Sequence, residues 1–222
     1  MKRTDLGTMV RRNLLPEYRL IPLDMGGDAR LSAKGFTFLT KTYEVEGLGH
    51  LCVMSMKAMA GLMKMETVVL SCFEKDMPLL NFDWISVLGK ETQIVELYDT
   101  QLSPLPQGLL DDFEAVKRRD SDIPDYVSKG KHAYDGLKYG ESYGKTSSKA
   151  GGRLSEAAED YMRLFICGLR EAAHCDPAEK REKVSAFADS LLSGGGPAVD
   201  QMTKLFGSET AGRVVCRHMY GV

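Results

Sequence analysis

Asp83 stands in the run Leu79-Leu-Asn-Phe-Asp83-Trp-Ile-Ser-Val-Leu88, which is largely apolar on both sides of it. Aspartate is depleted in strands, and a carboxyl carried into an apolar strand is desolvated. Desolvation favours the neutral form and raises the pKa, so the group holds a proton it can deliver near neutral pH. Strand alternation puts Asn81, Ile85 and Val87 on its face, and Phe82 and Trp84 on the other. The alternative is structural: the carboxyl sits at the mouth of the strand and caps a turn, since buried carboxylates are usually hydrogen-bonded.

Other chemistries find little support. Gly47-Leu-Gly49-His-Leu-Cys52 lacks a third glycine and lies between strands, and neither a phosphate-cradling loop ending in Gly-Lys-Ser/Thr nor a nucleophile elbow is present. His174-Cys175 and Cys216-Arg-His218 lack structural-zinc spacing, so no metal site is expected. Five cysteines, odd in number and scattered, read as reduced thiols in a cytosol-like compartment and hold no iron–sulfur cluster.

The elements that must position Asp83 begin with strands. Phe36, Phe38, Thr40 and Thr42 alternate through Lys34–Val45, closed by Gly47-Leu-Gly49. Further runs cover His50–Lys57, Met65–Phe73, Leu79–Leu88 and Thr92–Tyr98. Connections this short favour antiparallel neighbours, because parallel crossovers need about a dozen residues or more. Then the period changes. Leu109, Leu110, Phe113 and Val116 fit a short helix after Pro106, and a strong helical stripe runs from Leu154 to Ala172. Asp176-Pro-Ala-Glu179 is a helix start, with Asp as N-cap and Pro at the first position. Gly194-Gly-Gly-Pro197 stops that helix, and Ser208 is expected to cap a last one with Ala211, Val214, Val215 and His218 on its inner stripe. Asp120–Gly152 is polar and rich in Gly, Tyr and Lys, and reads as a mobile surface loop.

Strands first and helices later imply an α+β domain, a five- or six-stranded antiparallel sheet with helices on its faces. The expectation is one domain over residues 1–222, with 1–30 an N-terminal extension and 120–152 the mobile loop. The composition suits this: 43% hydrophobic and 27% charged residues in 222 build a core without staples. A formal charge of −2 argues against a nucleic-acid binder, and no stretch approaches the ~20 apolar residues that span a bilayer. Residues 1–20 carry arginines but no apolar stretch of a secretory signal. Twelve methionines suit a core with irregular gaps or a surface that grips a large apolar ligand.

Several segments together resemble one family. Pro78-Leu-Leu-Asn-Phe-Asp83 followed by Val95-Glu-Leu-Tyr-Asp-Thr100-Gln101, then Asp122-Ile-Pro124-Asp-Tyr126, then Lys204-Leu-Phe206-Gly207 through His218-Met-Tyr220 is similar to the ferredoxin-dependent bilin reductases. The likeness runs in order from about Phe36 to Val222. It implies an α/β/α sandwich whose central antiparallel sheet is flanked by helices. It also implies a monomer that holds a linear tetrapyrrole, biliverdin or a relative, between the sheet and the C-terminal helices. Electrons would arrive singly from ferredoxin with no tightly bound cofactor, and protons from side chains. The compartment would be the cytoplasm, or a plastid in a photosynthetic eukaryote. Red chlorophyll catabolite reductases share that fold and donor.

Residue by residue, the family's proton-donating Asp falls on Asp83. A His and a Glu found on the two preceding strands in one branch fall near Thr67 and Ser55, and a helical Asn-Asp pair falls near Gly195-Gly196. Glu66 is adjacent to Thr67, but a slip of one residue turns a side chain to the other face. The resemblance therefore leaves one carboxyl donor, and the alternative is a non-catalytic tetrapyrrole-binding protein. Ser55, Thr67, Asn81 and Phe206 are the expected substrate contacts. Arg118 and Arg119 are expected to meet propionates or an acidic ferredoxin, since Arg suits carboxylates. The lysines 129, 131, 138, 145 and 149 share that positive tendency or are simply solvated.

Overall fold

The computed structural model describes residues 5–128 and 130–222, apart from the Pro197 side chain; Lys129 lies outside the described residues. Long alternating runs build the centre: β3 (Phe36–Val45), β4 (Gly49–Ala58), β5 (Met63–Cys72), β6 (Leu79–Val87) and β7 (Lys90–Tyr98). Each pairs antiparallel with the next, as the short connections require. Gly47, at φ 74°, supplies the left-handed residue of the three-residue β3–β4 turn. At Gly49 a Cβ would lie 2.1 Å from the Ser71 carbonyl oxygen, so the neighbouring strand permits no side chain there.

Among the described residues the sheet has eight strands, not five or six. The additions are β1 (Leu20–Leu23), β2 (Arg30–Ala33) and β8 (Tyr143–Ser147). They are four or five residues long, too short for alternation to register, and β1 contains Pro22, which an edge strand tolerates. Both β1 and β2 pair with β3, while β8 closes the far edge on β7. The polar stretch 120–152 thus contributes a strand and a short helical turn, Ala133–Leu137.

Helices cover both faces, giving the expected α/β/α sandwich. On one face lie α1 (Leu6–Leu14), α2 (Gln107–Arg119) and α3 (Arg153–Glu171). Leu6, Val10, Phe113 and Phe165 there bury against Leu70 and Phe82 of the sheet. The segment read as an extension, 1–30, thus supplies a core helix, the edge strand β1 and the first residue of β2. Asp5 caps α1, its carboxylate accepting the Thr8 N–H at 2.8 Å, the usual service of an acidic N-cap. On the other face lie α4 (Pro177–Gly194), α5 (Pro197–Phe206) and α6 (Ser208–Arg213), continued as a π-helical segment over Val214–Tyr220. Asp176 caps α4 through Ala178, with Pro177 at the first position. At α6 the expectation fails: Gly207 at φ 86° is the N-cap, and Ser208 is already the first helical residue and makes no capping bond. All five cysteines are free, and no helix among the described residues is long and apolar enough to cross a membrane.

Candidate active site

The sheet face under α4 and α5 is not fully covered. A cavity of about 450 Å³ remains between them, within the range of small-molecule sites. Its floor alternates along the strands: Met54 and Met56 on β4, Met65 and Thr67 on β5, Asn81 and Asp83 on β6. Glu96 and Tyr98 of β7 extend the floor. Phe187 of α4, Met202 of α5 and Tyr220 form the roof, and His132, Tyr134 and Lys138 form a side wall. The wall is mostly apolar and rich in methionine, which adapts to irregular ligand shapes.

Asp83 occupies the middle of that floor, so the turn-capping alternative does not hold. Thr67 Oγ1 donates to its Oδ1 at 2.5 Å, and Asn81 Nδ2 donates to its Oδ2 at 2.8 Å. Burial pushes the carboxyl up, the two donors pull it back, and nearby Glu96 adds repulsion; the balance stands at about 6. What surface Asp83 keeps opens onto the cavity it lines. An acid in that state at near-neutral pH is a proton donor facing a ligand-sized space.

Glu96 is tied on both oxygens. Tyr98 OH donates at 2.7 Å and Lys138 Nζ at 3.2 Å. Burial raises the Tyr98 phenol well above its ordinary range, so it stays a donor. Tyr134 lies flat on His132, centroids 5.1 Å apart and planes 2° from parallel. Burial lifts its hydroxyl to about 12. Glu96, Tyr98 and His132 were not among the expected site residues, and Lys138 was named only within a cluster of basic residues expected to meet propionates or ferredoxin or to be solvated. Glu96 had a readable signal, since alternation through Ile94, Glu96 and Tyr98 places it on the Asp83 face once β7 pairs with β6. His132 lies in an aperiodic segment and had none, and Lys138 had only its charge.

Of the expected contacts, Thr67, Asn81 and Asp83 meet in the cavity. Ser55 does not. Met54 is the partner of Thr67 in the β4–β5 register, while Ser55 pairs with Glu66 on the opposite face. Glu66 there accepts the Leu6 N–H at 2.8 Å, as its position across the strand requires. Arg118 and Arg119 end α2, in the helical layer on the other side of the sheet. Both are exposed, and Arg119 is bound to Asp160 and to Asp120. Phe206 packs edge-on against Phe38, centroids 5.8 Å apart, and backs the wall without facing the cavity. Gly196 does face it, near the Tyr134 hydroxyl. Lys145 is buried and paired with Asp125 at 2.7 Å. Among the described residues no cluster of three His, Cys, Asp or Glu is placed to hold a metal.

These positions carry a direct expectation. Arg118→Ala and Arg119→Ala leave tetrapyrrole affinity unchanged in a spectral titration. Arg119→Ala lowers stability by less than about 1 kcal/mol, the scale of an exposed ion pair. A tenfold loss of affinity in either variant would return these arginines to the ligand.

No protein-family model matches the chain, and no curated protein matches it in sequence. The fold does match a solved structure, phytochromobilin synthase from tomato in complex with biliverdin. The TM-score is 0.73 at 14% identity, over 97% of this chain and 82% of that one. The chain that places Asp83, Asn81 and Thr67 on the floor of a methionine-rich cavity has the fold of a phytochromobilin synthase.

Proposed function

We propose that this protein reduces a linear tetrapyrrole of the biliverdin class, taking electrons one at a time from ferredoxin and a proton from Asp83. The observation that carries the reading is Asp83 itself, a carboxyl poised at about 6 in an apolar, ligand-sized cavity. The tomato synthase with the same fold holds biliverdin. Saturating one double bond of a conjugated tetrapyrrole takes two electrons and two protons. The first electron makes a radical anion, which the Asp83 proton neutralises before charge builds up in a low-dielectric site. The second electron is matched by a second proton, which Asp83 delivers after taking one up from solvent. Thr67 and Asn81 hold the carboxyl in one orientation toward the cavity. They also favour the carboxylate left after transfer, so donation is not uphill by the full cost of burying a charge. Lys138 is the cation on the described wall and supports a ligand carboxylate, although Glu96 shares its charge.

A second reading has its own observation. The cavity-facing residues of β4 and β5 beside Asp83 are Met54 and Thr67, neither of which gives up a proton. With Asp83 the one carboxyl that β4, β5 and β6 turn to the cavity, the site also suits a protein that carries a tetrapyrrole without reducing it. One experiment separates the two: anaerobic titration with biliverdin, then addition of ferredoxin, ferredoxin reductase and NADPH while the visible spectrum is followed. Binding shifts the bands at once. A reductase then moves them progressively with reductant; a carrier leaves the bound spectrum static. A spectrum unchanged by biliverdin would sink both readings.

A further inference from the structure

Two hairpin tips meet at one end of the sheet. β4 turns into β5 through Met59-Ala-Gly-Leu62, β6 turns into β7 through Leu88-Gly89, and the Leu88 N–H donates to the Leu62 carbonyl at 3.2 Å between them. Met59, Leu62 and Leu88 are 55%, 57% and 71% exposed. Their backbone is also unfavourable. Met59, Ala60 and Leu88 hold φ of 52°, 53° and 51°, the left-handed region that side-chain-bearing residues avoid. Gly89 stands at φ 83°. The β6–β7 turn thus has both central residues left-handed, the geometry that favours Asn-Gly or Asp-Gly. Leucine at the first position serves neither the turn nor a core.

Lysines surround these tips. Lys57 stands directly opposite Lys64 in the β4–β5 register, Lys90 begins β7, and Lys34 occupies the β2–β3 turn at the same end. All four are exposed, and none forms an ion pair among the described residues. The cavity reaches this end. Met63 and Met65 follow the first tip by one and three residues, and Ile85 precedes the second by three. An apolar centre with a cationic rim is the anatomy of a protein interface, and this one borders the ligand.

We propose that these two hairpin tips dock the acidic, one-electron iron–sulfur protein that reduces the ligand; the inference rests on the reductase reading. The lysines match a negatively charged donor and steer its approach. Leu88, Leu62 and Met59 supply the desolvated contact, and docking at the cavity's edge brings the donor's cluster toward the tetrapyrrole. A lipid surface would suit the same residue types but would not require them beside the cavity.

The test titrates the full chain with an oxidised plant-type [2Fe–2S] ferredoxin by calorimetry at low and high salt, with biliverdin titrated separately. Leu88→Asn puts the favoured residue into the turn, so it melts no lower than the parent. It raises the ferredoxin Kd roughly fivefold to tenfold, as loss of an apolar anchor does. Lys64→Glu with Lys90→Glu raises it about tenfold or more at low salt and far less at high salt, where screening removes the attraction. Biliverdin affinity stays unchanged in both. The proposal falls if ferredoxin does not bind the parent, or binds all three alike while biliverdin still binds, which leaves the reductase reading standing. It falls too if phosphatidylserine vesicles bind the parent and not Leu88→Asn while ferredoxin affinity is unmoved. If ferredoxin binding follows the expected pattern but biliverdin does not bind, the docking surface stands and the reductase reading fails.

Discussion

Asp83→Asn yields a folded protein that still binds biliverdin and turns it over about 10²–10⁴-fold more slowly, the usual worth of a general acid. Asparagine keeps the shape of the side chain and an oxygen for the Thr67 hydroxyl, but it has no proton to give. With electrons still arriving, the variant accumulates a tetrapyrrole radical, read by electron paramagnetic resonance during anaerobic turnover. A variant as fast as the parent, with no radical, places the acid elsewhere on the wall.

The same carboxyl sets a pH dependence. Burial lifts it from 3.8 to about 6, so the reactive, protonated form dominates below that value. Turnover from the single-turnover phase falls as pH rises through about 6, and the decline is missing in Asp83→Asn. Stability follows the same sign. Between 3.8 and about 6 the folded chain holds a proton that the unfolded chain has released, so stability decreases as pH rises across that window. Above it the buried carboxylate costs the fold up to about 3 kcal/mol. Asp83→Asn is therefore more stable than the parent at pH 8 by roughly 1–3 kcal/mol in denaturant titration, while at pH 4 the two converge. A structural carboxylate would give the opposite order at pH 8.

Asp83 stands out in the chain as written, whereas Ser55 could not be placed from it, and one cause explains both. An acid inside an apolar strand is visible because composition and pattern disagree at that residue. Which face a strand residue takes relative to its neighbours depends on register, and a slip of one residue reverses it. The β4–β5 register sends Met54, not Ser55, to the cavity. The five long strands and the α2, α3 and α4 patterns were legible because each repeats over many residues. The short edge strands lacked that length, and α1 was hidden in a segment, residues 1–20, with four arginines. Arg118 and Arg119 were placed by charge alone, which says that a residue prefers water and not which face of the sheet it decorates. The side wall around His132 and Lys138 is set by long-range packing of an aperiodic segment against β7 and α4, for which no local signal exists.

Lys180 illustrates the same gap and carries the second large effect. In Asp176-Pro-Ala-Glu-Lys180-Arg-Glu-Lys183 it reads as one more solvated charge, yet it is fully buried. Its Nζ donates to the Met77 and Thr100 carbonyls, each at 2.8 Å, and stands 3.5 Å from Asp76. Asp76 in turn accepts the N–H groups of Leu102 and Ser103 at 2.6 and 2.9 Å. One ammonium thus pins the first turn of α4 to the entry of β6 and the exit of β7. It thereby sets the seat of Phe187, which roofs the cavity above Asp83. Lys180→Met keeps the bulk but strands two carbonyls and leaves Asp76 without its cation. The expected loss is about 3–5 kcal/mol, a fall of roughly 10 °C in Tm at this chain length. Lys183→Ala, which removes an exposed side chain whose ammonium donates to a single carbonyl, that of Gln101, falls by much less. Burial also lowers the Lys180 pKa from 10.5. Between that lowered value and the ordinary one the unfolded chain binds the proton that the folded chain releases, so the parent gains stability over Lys180→Met as pH rises there. A Lys180→Met protein that melts with the parent would mean the α4 turn is held by its apolar contacts alone. Its biliverdin affinity would then equal the parent's, because the roof would not have moved.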